Sequence, residues 1–355
     1  MKKIKLIIGF TSLVYFGYAQ QVYKNTFDTS LGNEWSLPKT DITPNDNRRF
    51  LGQFANQSVG LSLSNLPKHK WINLNFDLFL IRTWDGSPGN YSSGPDRWKC
   101  YVNGSSVLID TTFANHPGQN QNFPYSIGGR VNPRFYLASE VNTLGYTYWS
   151  VGPIDSVYKI PITFSHADSS ILLKFEASGL EGVTSESWGL DNISVDVSNS
   201  LISGKVGLGD FFGDPKGFPV EILLEDTTGA IYSYYSLLES DGRFSVAVTA
   251  PNGIYNIYLK SSHWLRSLIS GVAAGDGITN IGTTNLINGD IDGDNVISVF
   301  DYSIFCNYFT YISDDSNWTI FNNQSRPIDA DLDGDGAVSV FDYSILSDNF
   351  DKRGE

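Results

Sequence analysis

Four aspartates recur at the same spacing in two short stretches of the sequence. One stretch begins at Asp290 and the other at Asp331, and the 16-residue segments around them share 11 residues. Counted from these aspartates, acidic residues fall at positions 1, 3, 5 and 12, a serine at position 9, and a backbone carbonyl at position 7. This spacing is typical of a loop that surrounds Ca²⁺ with oxygen atoms. The predicted ligands are Asp290, Asp292, Asp294, Val296, Ser298 and Asp301 in the first loop, and Asp331, Asp333, Asp335, Ala337, Ser339 and Asp342 in the second.

The sixth position of each loop has to turn sharply, often with a positive φ. Gly336 adopts such a conformation freely, and Asn295 is among the residues that tolerate it best. Position 12 is aspartate in both copies, where the usual EF-hand has glutamate. A helix-like pattern of apolar residues follows each loop. The sequence therefore predicts a duplicated loop–helix unit.

A duplicated loop–helix unit with aspartate at position 12, near the C-terminus of a chain with an export signal, resembles a dockerin domain over roughly residues 290–350. The resemblance implies attachment to a cohesin-like or other cell-surface protein through the helix after each loop. It also implies a near two-fold symmetry that lets either copy face the partner. The candidate contact residues are Val299, Phe300, Cys306 and Asn307 in the first copy, and Val340, Phe341, Ser347 and Asp348 in the second. Many dockerins carry small hydroxyl residues after position 9, where this chain has Val-Phe, and core packing is the favoured interpretation of Phe300 and Phe341.

Charge is concentrated in the same region. The whole chain has a net charge of −14, and residues 287–355 contain 14 acidic and three basic residues. This acidity argues against nucleic acid or an anionic membrane as the partner. Four carboxylates in one loop repel each other strongly without a cation. We therefore expect this segment to lose its structure in a chelator, as other small metal-dependent units do.

The N-terminus is typical of an export signal. Residues 1–19 read MKKIKLIIGFTSLVYFGYA, with three lysines, a short apolar run and small residues before the expected cleavage point. The apolar run is too short to span a bilayer. The sequence thus predicts a secreted protein, extracellular or at the cell surface, with no membrane span after cleavage. Its two cysteines, Cys100 and Cys306, fall in different predicted domains, so we expect no disulfide between them.

The elements that precede the acidic loops are predicted to be strands. Alternating apolar residues, as in WINLNFDLFLI from Trp71, favour strands with one buried face. Short strand patterns between the turns TTG, SDG and PNG predict a small antiparallel sandwich in residues 199–286. The expected fold is mainly β: two β-sandwich domains, 20–198 and 199–286, followed by a small helical domain, 287–355, with two EF-hand-like calcium loops.

Two further resemblances concern the sandwiches. The segments SDGRFSV and PNGIY resemble a carboxypeptidase regulatory-like, transthyretin-like module, which implies a spacer. The segments YKNTFDTSLGNEWS and SWGLDNISVDV resemble the two ends of a jelly-roll carbohydrate-binding or lectin-like module. That likeness implies adjacent first and last strands and a structural calcium, with Asp28 and Asp191 as candidate ligands.

Long loops in residues 20–198 offer aromatic and polar residues of the kinds that bind sugars. The candidates are Trp84, Asp85, Asp96, Trp98 and Trp149, with core packing as the alternative for each aromatic ring. No convincing catalytic constellation is evident. The favoured function is non-catalytic: glycan or surface binding at one end and protein attachment at the other. The alternatives are a polysaccharide-degrading, glycoside hydrolase-type enzyme with its active site in residues 20–198, and a structural cell-surface component.

Overall fold

The computed structural model describes residues 20–29, 31–87 and 94–355. The predicted signal peptide, residues 1–19, lies outside the described residues. Over these residues the fold is mainly β, as predicted, and the two α-helices that they contain lie near the C-terminus. Neither helix reaches the length and hydrophobicity that crossing a bilayer requires, over the residues described. Cys100 is buried, Cys306 is exposed, and both are free.

The first module is a β-sandwich. Its strands are β1 (Gln20–Asn25), β2 (Thr40–Ile42), β3 (Arg49–Phe54), β4 (Ser58–Ser64), β5 (Trp71–Arg82), β6 (Arg97–Val102), β7 (Ser106–Thr112), β8 (Asn120–Gln121), β9 (Asn132–Pro133), β10 (Glu140–Val141), β11 (Thr147–Tyr148), β12 (Gly152–Pro153), β13 (Asp155–Ser165), β14 (Ser170–Ser178) and β15 (Glu186–Ser198). One sheet has the order β10-β13-β5-β15-β3-β2, with β1 also paired to β15, and the other has the order β4-β14-β6-β7. The first and last strands are therefore adjacent, as the jelly-roll resemblance implied.

Strand β5 shows how the sequence builds this core. Alternate residues from Ile72 to Leu80 enter the core between the two sheets. Phe79 and Ile81 point the other way, into a small second cluster with Leu144 and Tyr146. The prediction of a single buried face was therefore incomplete, because the long connection before β13 covers the outer face of the sheet.

The second module packs a three-stranded sheet on a four-stranded sheet. Its strands are β16 (Ser200–Leu208), β17 (Pro219–Asp226), β18 (Ile231–Leu237), β19 (Arg243–Val248), β20 (Gly253–Ser261), β21 (Ser267–Ala274) and β22 (Gly277–Leu286). The orders are β19-β16-β22 and β18-β17-β20-β21. Strands β16 and β22 run parallel, so the expectation of a purely antiparallel sandwich was wrong. The chain enters and leaves the module in the same direction, along neighbouring strands.

The third module contains the two α-helices, α1 (Val299–Tyr308) and α2 (Val340–Asp348), and a 3₁₀ turn at Pro327–Ala330. Its core includes Ile297 and Val338, at position 8 of each acidic loop, together with Phe305 and Leu346 from the helices. Leu265 of the second module completes this core. The third module thus packs directly against the second.

Candidate functional site

Each acidic loop gathers carboxylate oxygens around one centre. In the first loop, ligand atoms of Asp290, Asp292 and Asp294 all lie within 4.8 Å of one another. In the second loop, the corresponding group is Asp331, Asp333 and Asp342. Such an all-oxygen donor set suits a hard cation of the size of Ca²⁺.

The sharp turn at position 6 is present in both loops. Asn295 has a φ of 70° and Gly336 a φ of 91°, which confirms the predicted positive values. The backbone N–H of Asn295 donates to Oδ1 of Asp290 at 3.1 Å. The N–H of Gly336 donates to Oδ2 of Asp331 at 3.1 Å. The turn therefore orients the first carboxylate of each loop toward its centre.

The residues at positions 9 and 12 also start the helices. Ser298 is the N-cap of α1, and its hydroxyl accepts from the N–H of Phe300 at 3.1 Å. In return, the N–H of Ser298 donates to Oδ2 of Asp301 at 2.7 Å. Ser339 and Asp342 form the same capping box at the start of α2. Because one carboxylate serves both loop and helix, each loop is coupled to the helix that follows it.

The two halves of the third module hold each other reciprocally. The chain after α2 pairs with the first loop, where the N–H of Asp351 donates to the carbonyl of Ile297 at 2.9 Å. The chain after α1 pairs with the second loop, where the N–H of Thr310 donates to the carbonyl of Val338 at 2.9 Å. Each helix is thus followed by a segment that is bound by the opposite loop.

This pairing also orients the carbonyls at position 7. In the first loop, the carbonyls of Asn295 and Ile297 both accept from the C-terminal segment. Since successive carbonyls of extended chain point in opposite directions, the carbonyl of Val296 faces away from that segment. In the second loop, Gly336 and Val338 flank Ala337 in the same way. The backbone at position 7 is therefore presented as the predicted cation ligand.

Burial of the carboxylates raises their pKa values. The pKa of Asp331 rises to about 7, mainly because of burial and also because of the neighbouring Asp342 charge. Burial also raises the pKa of Asp301 and of Asp342. Ionising several buried acids together is costly, and a divalent cation offsets that cost. The donor types, the turns and the charge all fit calcium in both loops.

One loop has a cationic neighbour. Nζ of Lys260, on β20, lies 2.6 Å from Oδ2 of Asp290. The backbone of the same module also contacts this loop, since the carbonyl of His263 accepts from the N–H groups of Gly289 and Asp290. Burial lowers the pKa of the His263 imidazole to about 3, so this ring is neutral beside the loop.

The predicted partner-binding residues all lie on exposed positions of the two helices. Val299 and Phe300 are 61% and 65% exposed, and their counterparts Val340 and Phe341 are 61% and 64% exposed. The interpretation of Phe300 and Phe341 as core residues was therefore wrong. The buried positions of α1 are Asp301, Phe305 and Tyr308, and both phenylalanines at the helix starts face outward.

The predicted sugar-binding residues separate into buried and exposed groups. Trp84 and Trp98 are fully buried, and their rings are unavailable for stacking on a sugar, which corrects that expectation. Asp85 and Asp96 are buried as well. Trp149 is 89% exposed, in a short 3₁₀ turn that begins directly after β11.

Asp28 and Asp191 are the predicted N-terminal calcium ligands. The charge of Asp28 contributes to the raised pKa of Asp191, but each carboxylate accepts a hydrogen bond from a residue near it in sequence. Asp28 is exposed and accepts from the hydroxyl of Thr26 at 2.7 Å. Asp191 lies within β15 and accepts from the N–H of Asn192 at 2.7 Å. Burial raises the pKa of Asp191 to about 6, with smaller contributions from Asp77 and Asp28. Neither belongs to a three-residue ligand group among the described residues, and calcium at this position stays a prediction.

The three modules enclose a cavity of about 810 Å³ that the sequence did not indicate. Lys159 of the first module, Tyr235 of the second and Arg326 of the third line its wall. Arg326 also donates to the carbonyl of Ala138 in the first module at 3.3 Å. No local motif predicts such a cavity, because its wall is assembled from segments far apart in the chain.

Comparison with known proteins identifies one family. The dockerin type I domain matches residues 288–351. Among solved structures, two type II cohesin–X-dockerin complexes from Acetivibrio cellulolyticus are similar. The N-terminal interface mutant is 23% identical, with a TM-score of 0.33, and the C-terminal interface mutant is 21% identical, with a TM-score of 0.34. Each match covers 44% of this chain and 97% of the other. A GH115 4-O-methyl-α-glucuronidase, specific for decorated arabinogalactans, matches 50% of this chain and 17% of its own at 12% identity and a TM-score of 0.24. No curated protein matches the chain.

Proposed function

Residues 288–351 form a dockerin type I domain, and we propose that through it this chain attaches, in a calcium-dependent manner, to a cohesin-like module on a cell-surface protein. The exposed starts of α1 and α2 support this proposal most directly. Each presents a Val-Phe pair to solvent, and the two pairs occupy equivalent positions in the duplicated unit. Exposed apolar residues at matching places on a calcium-ordered scaffold suit a protein partner.

The two helix faces offer alternative contact surfaces. Val299 and Phe300 repeat as Val340 and Phe341, but Cys306 and Asn307 are replaced by Ser347 and Asp348. The apolar part of each surface is therefore the same, whereas the rim differs by one negative charge. A partner that recognises mainly the apolar part can bind either face.

Calorimetry with a panel of purified cohesin modules tests this proposal. We expect binding in calcium and none in EDTA. F300A or F341A alone should retain binding through the remaining face, whereas the double variant should lose it. I278A is the matched control, because Ile278 is equally exposed, at 65%, but lies on the second module. Binding of the double variant at wild-type affinity would contradict the proposal.

For the first module, we propose glycan or surface binding without catalysis. The supporting observation is Trp149, whose 89% exposed ring is available to stack on a sugar. Glycan-array binding by the wild type and by W149A tests this, together with an assay for released reducing ends. Binding that W149A abolishes, without release, supports the proposal. Release of reducing ends would instead support the enzyme alternative. If the module neither binds glycan nor releases reducing ends, a structural role is favoured.

Secretion is the remaining part of the proposal, and it rests on the sequence of residues 1–19. Cleavage after Ala19 would leave a mature chain that begins at Gln20, the first residue of β1. Amino-terminal sequencing of the exported protein tests this. A mature protein that retains Met1 would contradict it.

A further inference from the structure

Four carboxyl groups meet at one end of the first module, outside the dockerin domain. Ligand atoms of Asp85, Glu181 and Glu186 all lie within 4.8 Å of one another. Asp96 lies beside them, because its carboxylate accepts from the backbone N–H of Asp85. Asp85 follows β5, Asp96 precedes β6, Glu181 lies in the turn after β14, and Glu186 begins β15. The cluster therefore connects the two sheets of the sandwich.

Two of these carboxyl groups have an oxygen that is buried without a partner. Asp96 and Glu186 are both 0% exposed. The second oxygen of each is held by the backbone: Oδ2 of Asp96 accepts from the N–H of Asp85, and Oε2 of Glu186 accepts from the N–H of Glu181 at 3.0 Å. Oδ1 of Asp96 and Oε1 of Glu186 accept from no donor in the described part of the chain. Buried oxygens of this kind require a ligand or a proton.

The described residues supply no cationic side chain to these acids. None of the four takes part in an ion pair across residues 20–29, 31–87 and 94–355. Arg82 is the cross-strand partner of Glu186, but its guanidinium donates to the side chain of Gln53 at 3.0 Å and to the carbonyl of Val183 at 3.1 Å. The nearest arginine on the paired strand is therefore engaged elsewhere.

The geometry points to a calcium site formed by Asp85, Asp96, Glu181 and Glu186. The ligand group contains only oxygen donors and neither histidine nor cysteine, which favours a hard cation over zinc. Calcium is favoured over Mg²⁺, because Ca²⁺ accepts many carboxylate oxygens in flexible geometry, whereas Mg²⁺ retains several waters. Because Glu181 is exposed, the ion can reach the site from solvent on that side.

The turn before β15 is shaped to approach this site closely. Gly179 has a φ of 99°, and a Cβ placed there would lie 2.4 Å from the carbonyl oxygen of Pro95 and 3.4 Å from Oδ1 of Asp96. A glycine thus lets the connection before β6 approach the turn that carries Glu181. The bound ion joins both sheets at the end where their connections meet.

The test uses the full chain with both dockerin loops disabled by D292A, D294A, D333A and D335A, and with the predicted Asp28–Asp191 site removed by D28N and D191N. After gel filtration in calcium, elemental analysis should find one Ca²⁺ per chain. Near-UV circular dichroism, which reports on the buried Trp84 and Trp98, should show a rise in melting temperature of roughly 5–10 °C at a calcium concentration about a hundred times the Kd. No uptake and no shift would overturn the proposal, and an equal shift with Mg²⁺ would overturn the choice of calcium.

Substitutions in the same background locate the ion. D96N with E186Q should abolish both the uptake and the shift. E176Q is the matched control, because Glu176 is an acid of the neighbouring β14 that pairs with Lys99 and Lys174. If the double variant does not fold, the calcium titration of the chain without these two substitutions still decides whether calcium binds outside the dockerin loops. Uptake by a folded D96N, E186Q chain equal to that of its parent would overturn the proposed ligands.

Discussion

Lys260 of the second module forms a 2.6 Å ion pair with Asp290, the first residue of the first calcium loop. The side chain of Asp290 is 0% exposed and that of Lys260 is 14% exposed. The same ammonium group donates to the carbonyls of Ser262 and Trp264. In the second loop, Asp331 has no corresponding ion pair in the described structure. The two loops are therefore similar in sequence but differ in their electrostatic surroundings.

Removal of this lysine should affect the calcium-bound protein, in which Asp290 is buried. Breaking a buried ion pair costs about 3–5 kcal/mol when nothing else compensates the remaining charge. Bound calcium also compensates Asp290, so we expect K260M to cost less than this in calcium, and almost nothing in EDTA, where the segment that carries Asp290 is unfolded. Urea unfolding in EDTA and in calcium measures both values. K205M, which removes an exposed lysine of the same module, should change stability by less than about 0.5 kcal/mol. Equal losses in both conditions would contradict this account.

Removal of calcium should unfold residues 288–351 selectively. Mutual repulsion of the loop carboxylates then opposes folding, while the cores of the two sandwiches contain no loop residue. Limited proteolysis in EDTA should cleave this segment first, and calcium should protect it. D292N and D333N should each lower the calcium stoichiometry, whereas D314N, at an exposed acid outside both loops, should not. Equal protease resistance with and without calcium would exclude this coupling.

The capping serines should contribute measurably to helix stability. S298A removes the acceptor for the N–H of Phe300 and should cost about 1 kcal/mol. Ser303 provides an internal comparison, because it is an exposed residue in the middle of α1. S303A should be neutral or slightly stabilising, since alanine favours helices. Thermal unfolding at saturating calcium provides the measurement, and equal losses for both variants would argue against the cap.

A pair of histidines should make the first module sensitive to acid. Nε2 of His69 lies 2.8 Å from Nδ1 of His166, and Nδ1 of His69 lies 2.6 Å from the carbonyl of Pro67. Burial and the neighbouring His69 lower the pKa of His166 from 6.5, against an opposing effect of Asp168. The unfolded chain therefore binds more protons than the folded chain as pH falls below 6.5.

We therefore expect stability to be retained above pH 6.5 and to decrease as the pH falls from there toward 5.5. Melting temperatures across this range measure the effect. H166N should reduce the pH dependence, whereas H116N, at a histidine outside this pair, should preserve it. An unchanged pH profile in H166N would show that other groups cause the effect.

Local spacing predicted the turns of the two acidic loops well, because the geometry of these loops is local. Positions 1 to 12 lie in one short segment, and the turn residues Asn295 and Gly336 have the expected backbone conformation. The orientation of Phe300 and Phe341 was harder to predict, because apolar residues occur on several sides of these short helices. Which of these apolar side chains is buried depends on how the two loop–helix units pack against each other.

Relationships between distant segments were not accessible to the same reasoning. The parallel pairing of β16 with β22 joins the two ends of a module. The acidic cluster of the first module brings Asp85 and Asp96 to Glu181 and Glu186 across about a hundred residues of sequence. Trp84 and Trp98 flank a long polar stretch in the sequence, yet both rings point into the core. In each case, tertiary packing rather than local pattern determines the position.

The exchange of outgoing segments between the two calcium loops means that this duplicated unit cannot be divided into independent halves. A fragment that ends after α1 would lack the strand that closes its own loop, since Asp351 and its neighbours supply it. Loss of one ion should therefore loosen the helix start on the opposite side as well. The internal repeat therefore forms one interlocked unit rather than two independent tandem parts.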